Sequence, residues 1–285
     1  MFVIYFVLFF MNCFFLEAQN SKYNLSVCSI FKEESKYIKE WIEYHKLIGV
    51  EHFYLYTTKN SDEVFDQLEP YIYSGLIELI IWPEVSSYFN EKNYDWPLIS
   101  QVTAYENAKL QATDETKWLA FLDINEFILP VNQETIGEIL EKYDDYSEIT
   151  LFTDSYNSSQ THCYSPKKLI IESIFMTAAM QKNPYKEVKK TIFKPDQCKA
   201  FLWPPFRYKF KKRAKKISLS KKEMHINSYE NRDGNHFNFK RNQVQLDSQI
   251  LSQKQLQQVL DSGYEIEDKE KAIFRFLPKV RRNMQ

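Results

Sequence analysis

Glycine is scarce in this chain, with five in 285 residues, at positions 49, 75, 137, 234 and 263. Neither a G-x-G-x-x-G nor a Walker-type loop can be drawn from them, which excludes a nucleotide cradled by glycine backbone. Any phosphate bound here must be held by side chains and a cation. Net charge is nearly absent too: 37 Lys+Arg against 38 Asp+Glu leave −1. That gives no global attraction toward nucleic acid or acidic lipid, and no nucleic-acid partner is expected. Cysteines number four, none at zinc-site spacing. Cys13 falls in an apolar leader, and a Cys163–Cys198 bridge stays open if the compartment is oxidising. No internal repeat or low-complexity linker divides the chain.

Residues 2–16, FVIYFVLFFMNCFFL, are almost wholly apolar. The run falls short of the roughly 20 residues of a comfortable transmembrane helix and has no basic start. Residues 1–20 read as a signal peptide or short membrane anchor. They would place the body in the secretory pathway, exported or membrane-anchored, with membrane association through residues 2–16.

From residue 21 to 285 one domain is expected. Aromatics at 16% and charged residues at 26% mark it as globular. Leu25–Phe31 reads as a strand. A helix follows, with Ser35 as N-cap, an apolar stripe of Ile38, Trp41, Ile42, His45 and Ile48, and Gly49 as its stop; Glu40 and Glu43 fall outside the stripe. His52–Tyr56 and Leu76–Trp82 read as strands, with a short helix to Leu68 between them, and Gln101–Ala112 reads as a helix. This alternation predicts a largely parallel α/β sheet with helices on both faces. Later segments are weaker: a helix over Thr135–Tyr143, strands over Glu148–Phe152, Lys168–Phe175 and Lys190–Pro195, and a polar helix over Ser248–Leu260. Around residues 206–210 aromatic and basic residues alternate as in an edge strand.

The segment Trp118-Leu-Ala-Phe-Leu-Asp123-Ile-Asn125-Glu126-Phe127-Ile-Leu-Pro130 organises the reading. An apolar strand here ends in acidic and amide side chains, where an open α/β sheet places its ligands. Oxygen ligands so grouped suit a hard divalent cation that holds phosphates, Mg2+ or Mn2+. Glu34 and Asp62 follow the first two strands, where nucleotide rings and riboses are held. Asp62 in Asn-Ser-Asp equally suits a turn.

These residues carry a resemblance. Ser26-Val-Cys-Ser-Ile-Phe-Lys-Glu-Glu, Ile38-Lys-Glu-Trp-Ile-Glu-Tyr-His45 and Gly49–Tyr56 resemble the opening of glycosyltransferase family 92. Lys117–Phe127 is similar to that family's "kWlaflDiDEF" segment. Lys190-Thr-Ile-Phe-Lys-Pro195, His225 and Asn235-His236-Phe237 resemble its later "Kti.kp", "H" and "NHY" positions. The resemblance implies a GT-A fold and a nucleotide-sugar donor, often UDP-galactose. It also implies a glycan acceptor, a divalent metal and inversion at the anomeric carbon.

By that resemblance Asp123 and Asn125 occupy the D-x-D positions. Asparagine in the second place removes a formal charge but keeps a carbonyl oxygen. Glu126 is either a compensating ligand or a salt-bridge partner. His225 and His236 are the late histidines that would complete a metal site, neutral imidazole being a competent ligand for Mn2+. Inversion needs a carboxylate to take the acceptor's proton, and Asp154 and Asp233 are the candidates. The reading is therefore a metal-dependent hexosyltransferase. Asn125 keeps open a sugar-nucleotide-binding or lectin-like relative without turnover, and the acidic and histidine residues keep open a phosphate-binding hydrolase.

Overall fold

The computed structural model describes residues 21–32, 34–59, 61–83, 96–157, 169–173, 189–202, 207–230 and 272–284. The first half builds as its pattern predicts. Strand β1 (Tyr23–Phe31) leads into helix α1 (Ser35–Leu47), β2 (His52–Thr57), α2 (Asp62–Tyr73), β3 (Ile77–Ile81), α3 (Trp96–Glu115) and β4 (Thr116–Phe121). β1 pairs in parallel with β2 on one side and β4 on the other, and β3 adds in parallel to β2. Gly49 stops α1 with φ +102, a left-handed conformation that suits glycine. Ser35 is the first residue of α1 rather than its cap; Glu34 holds the N-cap position, without a side-chain cap bond.

Beyond β4 come β5 (Glu126–Pro130), α4 (Gly137–Lys142), β6 (Glu148–Asn157), α5 (Ile170–Ser173) and β7 (Lys189–Phe193). A 3-10 turn at Pro195–Gln197 leads to the hairpin β8 (Cys198–Leu202) and β9 (Arg207–Phe210). Then follow β10 (Lys216–Ser218), β11 (Met224–Glu230) and α6 (Leu277–Asn283). The main sheet runs β3-β2-β1-β4-β7-β6-β11-β5, with β10 also on β6. β7 is antiparallel to both β4 and β6, β5 is antiparallel to β11, and β11 is parallel to β6. The strand expected over Lys168–Phe175 is instead the short helix α5 within its described part. Glu40 of α1 explains this, since its carboxylate accepts the Ile170 and Ile171 N–H groups at 2.8 and 3.2 Å. The Ser248–Leu260 helix lies outside the described residues. Cys28 and Cys198 are buried free thiols, and Cys163 lies outside the described residues.

Two apolar cores flank the sheet. One gathers α1, α2 and α6 through Trp41, Ile38, Leu68 and Phe276, and the other gathers α3 with the β8–β9 hairpin through Tyr105, Ala108, Phe201 and Tyr208. Helices on both faces are thus as the alternation predicted. α1 is buried well past its apolar stripe, because Glu40 and Glu43 are inside as well. Each is satisfied by hydrogen bonds, as burial demands. Glu43 accepts from Tyr71 Oη at 2.7 Å and from Asn283 Nδ2 at 2.8 Å.

α1 also closes the free edge of β5, the last strand of the sheet. Trp41 Nε1 donates to Glu126 O at 2.8 Å, Tyr44 Oη donates to Ile128 O at 2.9 Å, and Ile128 N donates to His45 Nε2 at 3.4 Å. An edge strand left bare would be a template for further pairing, and here side chains cap it. His45 holds its tautomer by donating from Nδ1 to Trp41 O at 2.8 Å. Burial therefore pulls its pKa down to about 3. A base with a lowered folded-state pKa contributes stability above its unfolded pKa, near 6.5, and loses it as pH falls toward 3. The expected slope is about 1.4 kcal/mol per pH unit in that window. Urea midpoints measured from pH 7.5 down to 4 check this, and His45→Gln should flatten the slope.

Candidate active site

β4 leaves the sheet at Phe121, and Leu122 N still donates to Cys28 O at 3.0 Å. The next four residues form a tight turn, closed by Glu126 N donating to Asp123 O at 2.9 Å. The same turn is closed a second time from the side chain, since Asp123 N donates to Glu126 Oε2 at 2.9 Å. Tyr229 N donates to Asn125 O at 2.8 Å, which ties the turn to β11. Asp123, Asn125 and Glu126 are therefore displayed at the carboxyl end of a central parallel strand, where such sheets bind ligands.

The two carboxylates of this turn live in different surroundings. Glu126 has a side-chain exposure of 5%, and Lys190 Nζ stands 2.7 Å from its Oε2. Asp123 has a side-chain exposure of 43% and a longer contact to the same ammonium, 3.3 Å. Gln101 Nε2, at 3.4 Å, is its other neighbour. Burial pushes the Glu126 carboxyl up to about 7, against the pull of Lys190 and the Asp123 N–H. Burial also works against charge on Lys190, but Glu126 and Asp123 together hold its pKa above the ordinary lysine value. The two directions disagree about how ionic the pair is. The 2.7 Å contact decides it, because Oε2 takes two donors and the pair is best written as ammonium and carboxylate. Lys190 comes from β7, and sequence reasoning met it only as a position in the resembling segment. A lysine on a strand beside an acidic turn was the available signal.

The other expected site residues are spread more widely. Ser228 faces Glu126 in the β5–β11 register and accepts from Asn125 Nδ2 at 3.3 Å. His225 pairs with Leu129 in that ladder, three residues from Ser228. It lies about 10 Å along the strand and, by alternation, on the other face. Expected among the ligands, His225 is not brought to Asp123. It is fully buried, with Nδ1 donating to Lys221 O at 2.8 Å and Nε2 3.8 Å from Asp154 Oδ2. Burial lowers its pKa, with Asp154 opposing. Asp154 pairs with Asn227 in the β6–β11 register, and its Oδ1 accepts from Lys221. It too stands on the ladder face away from Ser228 and Glu126. Glu34 caps α1, its carbonyl accepting Tyr37 N and Ile38 N. Asp62 opens α2 in an exposed first turn, where a negative charge suits the helix dipole. Asp233 and His236 lie outside the described residues.

Among the described residues no group of three or more His, Cys, Asp or Glu is gathered to hold an ion. Mg2+-type sites do not require one, since they commonly take one or two carboxylates plus substrate phosphates. The Asp123 carboxylate, open and held only by long contacts, fits that donor set. So does the Asn125 carbonyl, because its amide NH2 is the group spent on Ser228. Glu126 does not fit, as its pairing with Lys190 and the Asp123 N–H withdraws it into the protein. Asn125→Asp restores a formal charge at this position and should tighten Mn2+ binding about tenfold, ligand charge being a main determinant of affinity. Titration of free Mn2+ by electron paramagnetic resonance measures this directly.

A parallel β3-β2-β1-β4 half-sheet, an antiparallel β7 beside it, and an acidic turn at the end of β4 braced by a β5–β11 pair match the mostly parallel sheet expected of a GT-A type fold. The chain belongs to glycosyltransferase family 92, whose family model matches residues 21–262. A family 92 protein of Ricinus communis is 29% identical over 154 residues, covering 50% of this chain and 24% of its own length. The galactan beta-1,4-galactosyltransferase GALS3 of Arabidopsis thaliana is 27% identical over 159 residues, covering 54% and 29%. The chain thus spans less than a third of the length of these relatives. Among solved structures, S. aureus TarS aligns with a TM-score of 0.37 at 15% identity, over 63% of this chain and 30% of that one.

Proposed function

We propose that this glycosyltransferase moves a hexose, galactose, from a UDP-linked donor to a glycan acceptor, with inversion. The observation that carries the reading is the open Asp123 carboxylate at the carboxyl end of β4, positioned by the buried Glu126 and its partly exposed partner Lys190. Two relatives named as galactan beta-1,4-galactosyltransferases support galactose and a galactan-like acceptor. In the reaction the anomeric carbon–oxygen bond to the diphosphate breaks as an acceptor hydroxyl attacks from the opposite side and gives its proton to a carboxylate base. Negative charge then develops on the leaving oxygen. A divalent cation bound through Asp123 and Asn125 would supply Lewis-acid neutralisation of that charge. Through that cation Asp123 would orient the diphosphate end of the donor. Glu126 fixes the Asp123 backbone, and Lys190 keeps the buried carboxylate charged without adding repulsion toward the donor.

The test is a donor panel of UDP-galactose, UDP-glucose and GDP-mannose, with galacto-oligosaccharide acceptors, in Mn2+ or in chelator. UDP release from UDP-galactose with a lengthened acceptor is expected. Binding of UDP without release would select the non-catalytic sugar-nucleotide binder, and cleavage of free sugar phosphates would select the hydrolase.

A further inference from the structure

The densest charge feature of the chain takes no part in the site just described. Residues 198–222 hold ten Lys and Arg and no Asp or Glu, in a chain whose net charge is −1. Some of these cations are neutralised locally: Lys215 by Asp145, Lys216 by Glu148 and Lys221 by Asp154. Lys199, Lys209, Lys211, Lys212 and Arg213 are exposed and make no ion pair among the described residues. A basic run is ordinarily a solvated face, but two local devices hold these cations outward. In the β8–β9 ladder Cys198 faces Phe210 and Ala200 faces Lys209, which leaves Lys199 as the extra residue of a β-bulge. In the turn that follows, Ala214 N donates to Lys211 O at 3.3 Å and Arg213 takes φ +74. No other non-glycine residue among those described has a positive φ. Glycine or asparagine would hold that turn position with less strain, yet a cation stands there.

The hairpin also has a direction. On its inner face Phe201 and Tyr208 pack against Phe121, with ring centroids 5.4 and 6.4 Å away. Phe121 ends β4, two residues before Asp123. At the other end Lys211 N donates to Gln197 O at 2.9 Å, and Gln197 shares a cavity with Thr116, the first residue of β4. The basic ribbon therefore runs alongside β4 from its foot to the end that carries the acidic turn. That is about 17 Å at the usual strand rise, with Lys209 and Lys211 on one side of the chain about 7 Å apart. Asp196 is the only carboxylate between residues 195 and 222.

We propose that the outer face of the β8–β9 hairpin and its basic turn bind an acidic glycan, a linear polymer of uronate-type sugars that carries the acceptor end. Charge complementarity selects a polyanion, and the length of the ribbon selects a chain over a single ion. Its course toward Phe121 selects a glycan, because an acceptor hydroxyl has to reach the Asp123 edge; this choice of occupant rests on the transferase reading above. A lipid bilayer would gain nothing from a ribbon that leads to that edge. Well-separated lysines suit the sparse carboxylates of such a chain, each pairing with one ammonium.

Binding of the full chain is measured by biolayer interferometry on immobilised polygalacturonate, with neutral galactan as the comparison. Wild type is expected to prefer polygalacturonate about tenfold at low ionic strength and to lose the preference in 1 M salt, where screening acts within about 3 Å. Lys209→Gln/Lys211→Gln/Lys212→Gln should weaken polygalacturonate binding about tenfold, roughly a factor of two per exposed ion pair. Lys209→Arg/Lys211→Arg/Lys212→Arg keeps the charge and should bind as wild type does. Lys36→Gln/Lys142→Gln/Lys279→Gln removes as much charge from α1, α4 and α6, which pack in the other core, and should change binding by no more than about twofold. In transfer assays the glutamine variant of the patch should raise KM about tenfold for a uronate-bearing acceptor, with kcat and the KM for a neutral acceptor unchanged. Equal polygalacturonate affinity for wild type and that variant overturns the proposal, as does tighter retention on phosphatidylserine vesicles than on polygalacturonate. Salt-sensitive polygalacturonate binding by a protein that transfers no hexose would remove the transferase reading and keep the glycan-binding face. Hexose transfer with no preference for the polyanion would do the reverse.

Discussion

Asp123→Ala is expected to lower kcat/KM by about 10³-fold while changing the stability of the fold by no more than about 0.5 kcal/mol. The first number follows from position. Asp123 offers the open carboxylate of the turn, which would hold the divalent cation where charge develops on the departing diphosphate. Losing a preorganised group at such a point costs roughly 3–4 kcal/mol of transition-state stabilisation. The second number follows from contact. Its neighbours Lys190 and Gln101 stand at 3.3 and 3.4 Å, so little native-state bonding is lost. Steady-state UDP release and urea denaturation on the same preparation check both halves. A large fall in stability with unchanged donor turnover would assign Asp123 to the scaffold.

Glu126 should behave the other way round. Removing Lys190, as in Lys190→Ala, leaves the buried Glu126 carboxylate without its cation, at a cost of about 3–5 kcal/mol. Glu126→Ala is expected to lose less, because Lys190 is partly exposed and keeps Asp123 at 3.3 Å. Replacing both at once should cost clearly less than the two losses together, because no lone charge then remains. Activity should fall in both single variants through the turn, since Glu126 Oε2 holds the Asp123 N–H. Chemical denaturation of the two single variants and the double variant supplies the cycle. A Glu126→Gln protein with full stability and no metal affinity would make Glu126 a ligand after all.

The acidic turn and the first half of the fold were legible for a common reason. Strand and helix periodicity over residues 25–121 is written locally, and Gly49 punctuates it where it stands. The glycine count likewise excluded a backbone phosphate cradle without any coordinates. Beyond Asp123 the local signal fades. Met224–Glu230 is polar in alternation, and nothing nearby marks it as the strand that braces the site. The short apolar run near Ile170 read as a strand because period alone cannot separate a brief strand from a buried helical turn. Glu40, some 130 residues earlier in the chain, decided it by capping the helix.

The same distance in sequence explains the divided fate of the acidic and histidine residues. Residue types and their order placed Asp123, Asn125 and Glu126 together and specified a hard-cation, phosphate-binding chemistry. Which carboxylate stays open, and which is buried against a lysine from β7, is set by tertiary contacts that no local window contains. His225 is carried to the far face of its ladder by a pairing register, because side chains alternate across a strand and a three-residue offset reverses them. Composition and periodicity, then, determined the class of sheet and the kind of chemistry at its edge. Long-range pairing alone decided which side chains meet there, since burial and register arise between segments distant in the chain.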